Sequence, residues 1–153
     1  MRILQALGCH RDTLSKYRSY LQATLMYQEI YPYINSTLTR LVKSPKGYLM
    51  NNGLISYLSG IYDLTLLKQT GLIGHRFENW LLKELQIYLD CACEKNEIYF
   101  WRTSGGMEVD FVLYGSRGLK VFEVKRTGRL SDSVLRGLRA FQKDYPNARM
   151  YFI

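Results

Sequence analysis

Residues 108–127 read EVDFVLYGSRGLKVFEVKRT, two apolar runs separated by the turn residues Ser116, Arg117 and Gly118. Alternation around a glycine-containing break predicts two strands of one hairpin. Side chains two apart on a strand share a face, so Glu123 and Lys125 project together while Phe122 and Val124 take the other side. If the hairpin pairs around residues 116–118, Asp110 reaches the same spot. Two carboxylates about 4 Å apart repel by about 4 kcal/mol at an effective dielectric of about 20, so they need a cation or a shared proton. Magnesium or manganese suits oxygen ligands, keeps several waters and serves phosphoryl chemistry. Lys125 can then orient or activate an attacking water, or neutralise charge that builds on a phosphate. The plainer alternative makes Glu123 and Lys125 a solvated face of an edge strand, with Asp110 near a turn. Three coordinated placements among apolar residues weigh against it.

Working outward, NEIYFWRTS and the Gly105-Gly106 turn supply a strand before the hairpin. Ahead of it, a long helix is expected from about Gly74, with Phe77, Trp80, Leu81, Leu85 and Tyr88 along one face and Glu78 near its start. The helix dipole favours an acid there without any chemistry. After the hairpin, the spacing of Val134, Leu135, Leu138 and Phe141 predicts a helix from Ser131 to about Tyr145, followed past Pro146 by a last strand, RMYFI. Helix, three strands, helix and strand imply a mixed α/β domain, the second helix lying between strands that can pair in parallel through a right-handed crossover.

The first 26 residues read as a short helix, a break at Gly8 and a longer helix capped by Asp12 or Thr13. With Lys16, Tyr17, Arg18 and Tyr20 on the second helix, this can be a helix-turn-helix or winged-helix unit reading a groove, or a common packing unit. Residues 27–54 carry Pro32, Pro45, Gly47 and the turn signal Asn51-Asn52-Gly53, which predict one or two short strands and a junction near residues 43–46. Thirteen tyrosines, several interleaved with Lys and Arg, suit base stacking and protein contacts equally.

A chain of 153 residues with 47% apolar content can bury one domain core. Twenty-one Lys and Arg against thirteen Asp and Glu leave +8, which favours encounter with polyanions. Cys9, Cys91 and Cys93 lack the spacing of a zinc or redox site and read as reduced thiols of a cytosolic protein. No apolar segment is long enough for a membrane span and no signal peptide is evident, so a soluble protein with no membrane partner is expected. His10 and His75 read as surface or capping residues, His75 being close enough to Glu78 on one helix to approach the site.

At Asp110, at Glu123-Val124-Lys125 and at Glu78 the sequence resembles the PD-(D/E)xK phosphodiesterase superfamily, whose restriction-endonuclease-like fold has the same core order of elements. Val109 stands where that pattern has proline. The resemblance implies that Glu78, Asp110 and Glu123 bind Mg²⁺ or Mn²⁺, that Lys125 positions the water, and that Arg102, Lys43 or Arg126 holds the backbone of a nucleic acid.

KSPKGYLMNNGL, GLIGHRFENWLLKEL, YFWRTSGGMEVDFVL, FEVKRT and LRGLRAFQKDYPNARMYFI together resemble the C-terminal domain of unknown function of bacterial and archaeal AAA-type P-loop ATPases. That resemblance implies a helical, winged-helix-like linker over residues 1–45 and a nuclease-like domain over 46–153. It also implies an ATPase domain in the same longer chain, since no phosphate loop is present here. Asn51 stands where the family usually carries Asp. Metal-dependent hydrolysis of nucleic acid is then the expected function. The alternative is a module that binds nucleic acid or protein and tethers or regulates the ATPase without catalysis.

Overall fold

The expected hairpin forms. In a computed structural model that describes residues 6–34, 44–92, 95–103, 105–125 and 132–153, β4 (Glu108–Gly115) and β5 (Gly118–Glu123) pair antiparallel, with Phe111 opposite Phe122 and Gly115 opposite Gly118. Gly118 closes the turn at φ +84°, a conformation that costs a residue without Cβ little.

Around the hairpin lie β3 (Glu97–Arg102), antiparallel to β4, and β6 (Arg149–Phe152), parallel to β5. Two strands from the irregular region complete the sheet: β1 (Tyr27–Pro32) pairs with β3 in parallel and with β2 (Lys46–Leu49) antiparallel. The order is β2-β1-β3-β4-β5-β6, so a mixed six-stranded sheet includes a strand from before residue 45.

Five helices accompany the sheet among the described residues: α1 (Arg11–Ala23), α2 (Asn52–Leu58), α3 (Leu64–Gln69), α4 (Ile73–Ala92) and α5 (Asp132–Asp144). The α1 cap is His10, whose Nδ1 accepts from the Asp12 N–H, rather than Asp12 or Thr13; Asp12 lies in the first turn, where the dipole favours it. Asn51 caps α2, its Oδ1 accepting from the Leu54 N–H at 3.0 Å.

Two apolar clusters sandwich the sheet. Leu81, Leu82 and Leu85 of α4 pack with Ile30, Phe100, Phe111 and Val124. Leu138 and Phe141 of α5 pack with Tyr99, Trp101, Val109, Val112 and Val121. Neighbours such as Phe100 and Trp101 enter different clusters, as opposite faces of a pleated sheet require. The α4 face differs from the expected one: its buried line is Asn79, Leu81, Leu82, Leu85 and Leu89, whereas Trp80 and Tyr88 are exposed. Each ring makes a surface contact instead, Trp80 stacking on Phe77 and Tyr88 lying under the Lys120 ammonium. No helix among the described residues is long and apolar enough to cross a membrane.

Candidate functional site

Asp110 occupies a break in strand regularity. Between the pairs Tyr99–Val112 and Trp101–Val109, β4 has two residues, Asp110 and Phe111, against Phe100 alone of β3. This bulge allows Val109 and Val112, three residues apart, to enter the same apolar cluster, and it takes Asp110 out of strict alternation. The Asp110 carboxylate is buried, and its Oδ2 accepts the Val124 N–H at 2.9 Å.

Glu123 ends β5, and the chain beyond it stays tied to β6: Ile153 donates to the Glu123 carbonyl at 3.0 Å, and Lys125 donates to the Ile153 carbonyl at 2.9 Å. The expected division of faces holds. Phe122 and Val124 join the α4-side cluster, while Glu123 and Lys125 line one cleft. Lys125 Nζ lies 3.0 Å from Glu123 Oε1 and 3.9 Å from Asp110 Oδ2.

Glu78 reaches the cleft from the second turn of α4. That helix is held in place by buried Asn79, whose Nδ2 donates to the Leu49 carbonyl at 2.6 Å and to Asn52 Oδ1 at 3.1 Å, and by Asn52, which donates to the Arg76 carbonyl at 2.9 Å. His75 lines the same cleft, 3.9 Å from Glu78.

The cleft has a volume of about 480 Å³. Burial, followed by the charge of Asp110, raises the pKa of both Glu78 and Glu123 above the ordinary carboxylate value. Burial works against the Lys125 ammonium, but its hydrogen bond to Glu123 and the charges of Asp110, Glu123 and Glu78 outweigh this and raise its pKa. The Tyr48 hydroxyl is pushed up by burial and by Glu78, Asp110 and Glu108.

Residues that the motif reading did not include also shape the cleft. Lys46 and Tyr48 arrive on β2, and Glu108 pairs with Lys46. Glu108 was within reach of sequence reasoning, two residues before Asp110 on one strand; Lys46 and Tyr48 come through long-range strand pairing that carries no local signal. Arg102 is exposed and holds Glu108 Oε2 at 3.7 Å; it is not among the cleft-lining residues. Lys43 and Arg126 lie outside the described residues.

Among the described residues, no three His, Cys, Asp or Glu side chains converge tightly enough to hold a metal ion as they stand. The donor set is nevertheless all oxygen, and Glu123 Oε2 is a buried acceptor without a donor, a deficit that a hard cation would relieve. Glu78, Asp110 and Glu123 therefore fit Mg²⁺ or Mn²⁺ in chemical type.

The chain is 28% identical over 151 residues to an uncharacterized protein of Mycobacterium bovis and, equally, to one of Mycobacterium tuberculosis. In each case the match covers 99% of this chain and 33% of the relative, so the chain spans about a third of the length of these curated relatives. No solved structure matches it. A domain of unknown function, DUF8612, matches residues 1–65. A second such domain, DUF4143, matches residues 73–153, which hold α4, β3 to β6, α5 and all four motif residues, Glu78, Asp110, Glu123 and Lys125, and the chain belongs to that DUF4143 family.

Proposed function

We propose that the chain carries a PD-(D/E)xK site on a restriction-endonuclease-like core and hydrolyses phosphodiester bonds of nucleic acid with Mg²⁺ or Mn²⁺, within a longer cytoplasmic protein that also contains an AAA-type P-loop ATPase domain. The observation that carries this reading is the meeting of Asp110, Glu123, Lys125 and Glu78 in one cleft from three separate elements. Glu78, Asp110 and Glu123 would hold the cation, which when bound supplies Lewis-acid polarisation and a more acidic water. Lys125 keeps its proton across the physiological range, so it stabilises charge on the phosphate and orients the water rather than acting as a base. The water's oxygen bonds to phosphorus as the ester P–O bond breaks, and the proton it loses passes through solvent to the departing oxygen. Cleavage of labelled single- and double-stranded DNA and RNA, with Mn²⁺ and Mg²⁺ and with Asp110→Asn alongside, tests the proposal. Metal-dependent cutting lost in the variant supports it, and equal cutting by both proteins rejects the assignment.

A second reading follows from the Lys125 ammonium, which already sits against both buried carboxylates. In that case the three groups form a structural ion pair in a module that binds nucleic acid or protein and tethers or regulates the ATPase. Calorimetry separates the two: no heat from Mg²⁺ or Mn²⁺ at millimolar concentration selects the second.

A further inference from the structure

A groove of about 440 Å³ runs between α5 and the β3–β4 turn, lined by Trp101, Met107, Arg136, Arg139, Lys143 and Asp144. The three cations stand at positions i, i+3 and i+7 of α5 and so share one face, spanning about 10 Å along the helix. All three are exposed, and among the described residues none has a carboxylate within salt-bridge distance. Among the described residues, Asp144 is the one acid that lines the groove.

The groove is continuous with the acidic cleft. Met107 and Arg136 also line a recess beside Glu108, Glu123 and Lys125, residues that in turn line the cleft. Gly137, next to Arg136, explains the closeness: a Cβ there would lie 2.5 Å from the Glu108 carbonyl oxygen, so α5 is pressed against the strand that begins at the cleft rim.

We propose that Arg136, Arg139 and Lys143 form a phosphate track that holds the backbone of a nucleic-acid strand and leads it past the β3–β4 turn to Glu123 and Lys125. Charge complementarity selects the occupant. Three cations in line beside a groove, none of them paired among the described residues, suit successive phosphates of a polyanion, whereas an acidic protein patch would have to match them without that repeat. The track deepens the nuclease reading by giving its substrate a path, but binding is measured apart from cutting.

The test is fluorescence anisotropy of a labelled single strand and of its duplex, titrated over a range of salt in chelator without metal. It compares the chain, a triple variant (Arg136→Gln, Arg139→Gln, Lys143→Gln) and a charge-matched control (Lys68→Gln, Lys83→Gln, Lys95→Gln) taken from exposed positions on α3, on α4 and ahead of β3. Loss of three phosphate contacts weakens binding by about tenfold or more and makes the log–log salt dependence shallower by about 2 to 3. The control should keep the affinity and slope of the unmodified chain. Equal losses in both variants, unchanged binding in the triple variant, or no binding by the unmodified chain would each overturn the track. Cleavage assays on the same proteins distinguish the failures. Metal-dependent cutting with an unaffected triple variant removes the track alone, and a binding defect with no cutting by any protein removes the nuclease reading alone.

Discussion

The Asp110 carboxylate on β4 takes its hydrogen bond from the Val124 main chain, one residue before Lys125, at 2.9 Å. The acid is thus tied to the segment that carries the other two motif residues, and its position depends on backbone rather than on a mobile side chain. Asp110→Ala leaves the Val124 N–H without its acceptor and should cost about 1–3 kcal/mol in urea denaturation. Asp110→Asn keeps an acceptor of the same shape and removes repulsion with Glu123, so it should match the parent stability. An equal loss in both variants would show that charge, not the hydrogen bond, is what matters.

Lys125 is the only cation within salt-bridge distance of Asp110 and Glu123 among the described residues. Lys125→Met leaves two buried carboxylates facing each other. Since the lysine is partly exposed, the loss should fall below the 3–5 kcal/mol of a fully buried pair, at about 1–2 kcal/mol. Adding Asp110→Asn should recover part of it. Mn²⁺ should raise the Tm of Lys125→Met more than that of the parent, because a divalent ion can take the place of the ammonium; an equal rise in both would argue against a shared site.

Stability in metal-free buffer should fall as pH rises above the ordinary glutamate value of 4.5. Glu78 and Glu123 have raised pKa values in the folded chain, so the folded state binds more protons than the unfolded state between 4.5 and those raised values. The contribution is complete below the unfolded value and is gone once pH exceeds the folded one. Lys125, also raised, adds stability that is complete below its ordinary 10.5 and disappears only in stronger alkali. Chemical denaturation across this range should show the acid-side slope, and Glu123→Gln should flatten it. A slope unchanged in that variant would place the excess proton elsewhere.

Gly137→Ala sets intrinsic preference against packing. Alanine favours a helix by about 1 kcal/mol over glycine. The new methyl would nevertheless meet a backbone oxygen of Glu108 at 2.5 Å, and backbone yields little. The variant should lose about 1–3 kcal/mol, and its near-ultraviolet spectrum should change as Trp101 shifts against Phe141. A gain in stability would mean that α5 can lift from β4 without cost.

The run from α4 to β6 was legible because each element carries its own signal: helical spacing, two-residue alternation, and glycines at the breaks. The meeting of the candidate residues Asp110, Glu123 and Lys125 was legible for the same reason, since they lie on or just beyond one hairpin whose register follows from its short turn. What escaped is what chain-distant pairing decides. Nothing local in YQEIYP announces a parallel partner near Tyr99, and so neither β1 nor the arrival of Lys46 and Tyr48 behind it could be placed. The bulge at Asp110 was equally hidden, because it depends on β3 as well as β4. The α4 face went astray because large aromatics stand out in a pattern, whereas small differences in angle decide that Leu82 and Leu89 go inward and Trp80 outward.

The insertion of β1 beside β3 makes the sheet larger than the stretch that the family match covers. The stretch matched by DUF4143, residues 73–153, would present β3 as a bare edge, its N–H and C=O groups free to recruit strands from other molecules. It would also lack the wall that Lys46 and Tyr48 give the cleft. The sheet is therefore longer than the matched stretch, and a fragment meant to keep β1 and the whole cleft has to begin ahead of Tyr27.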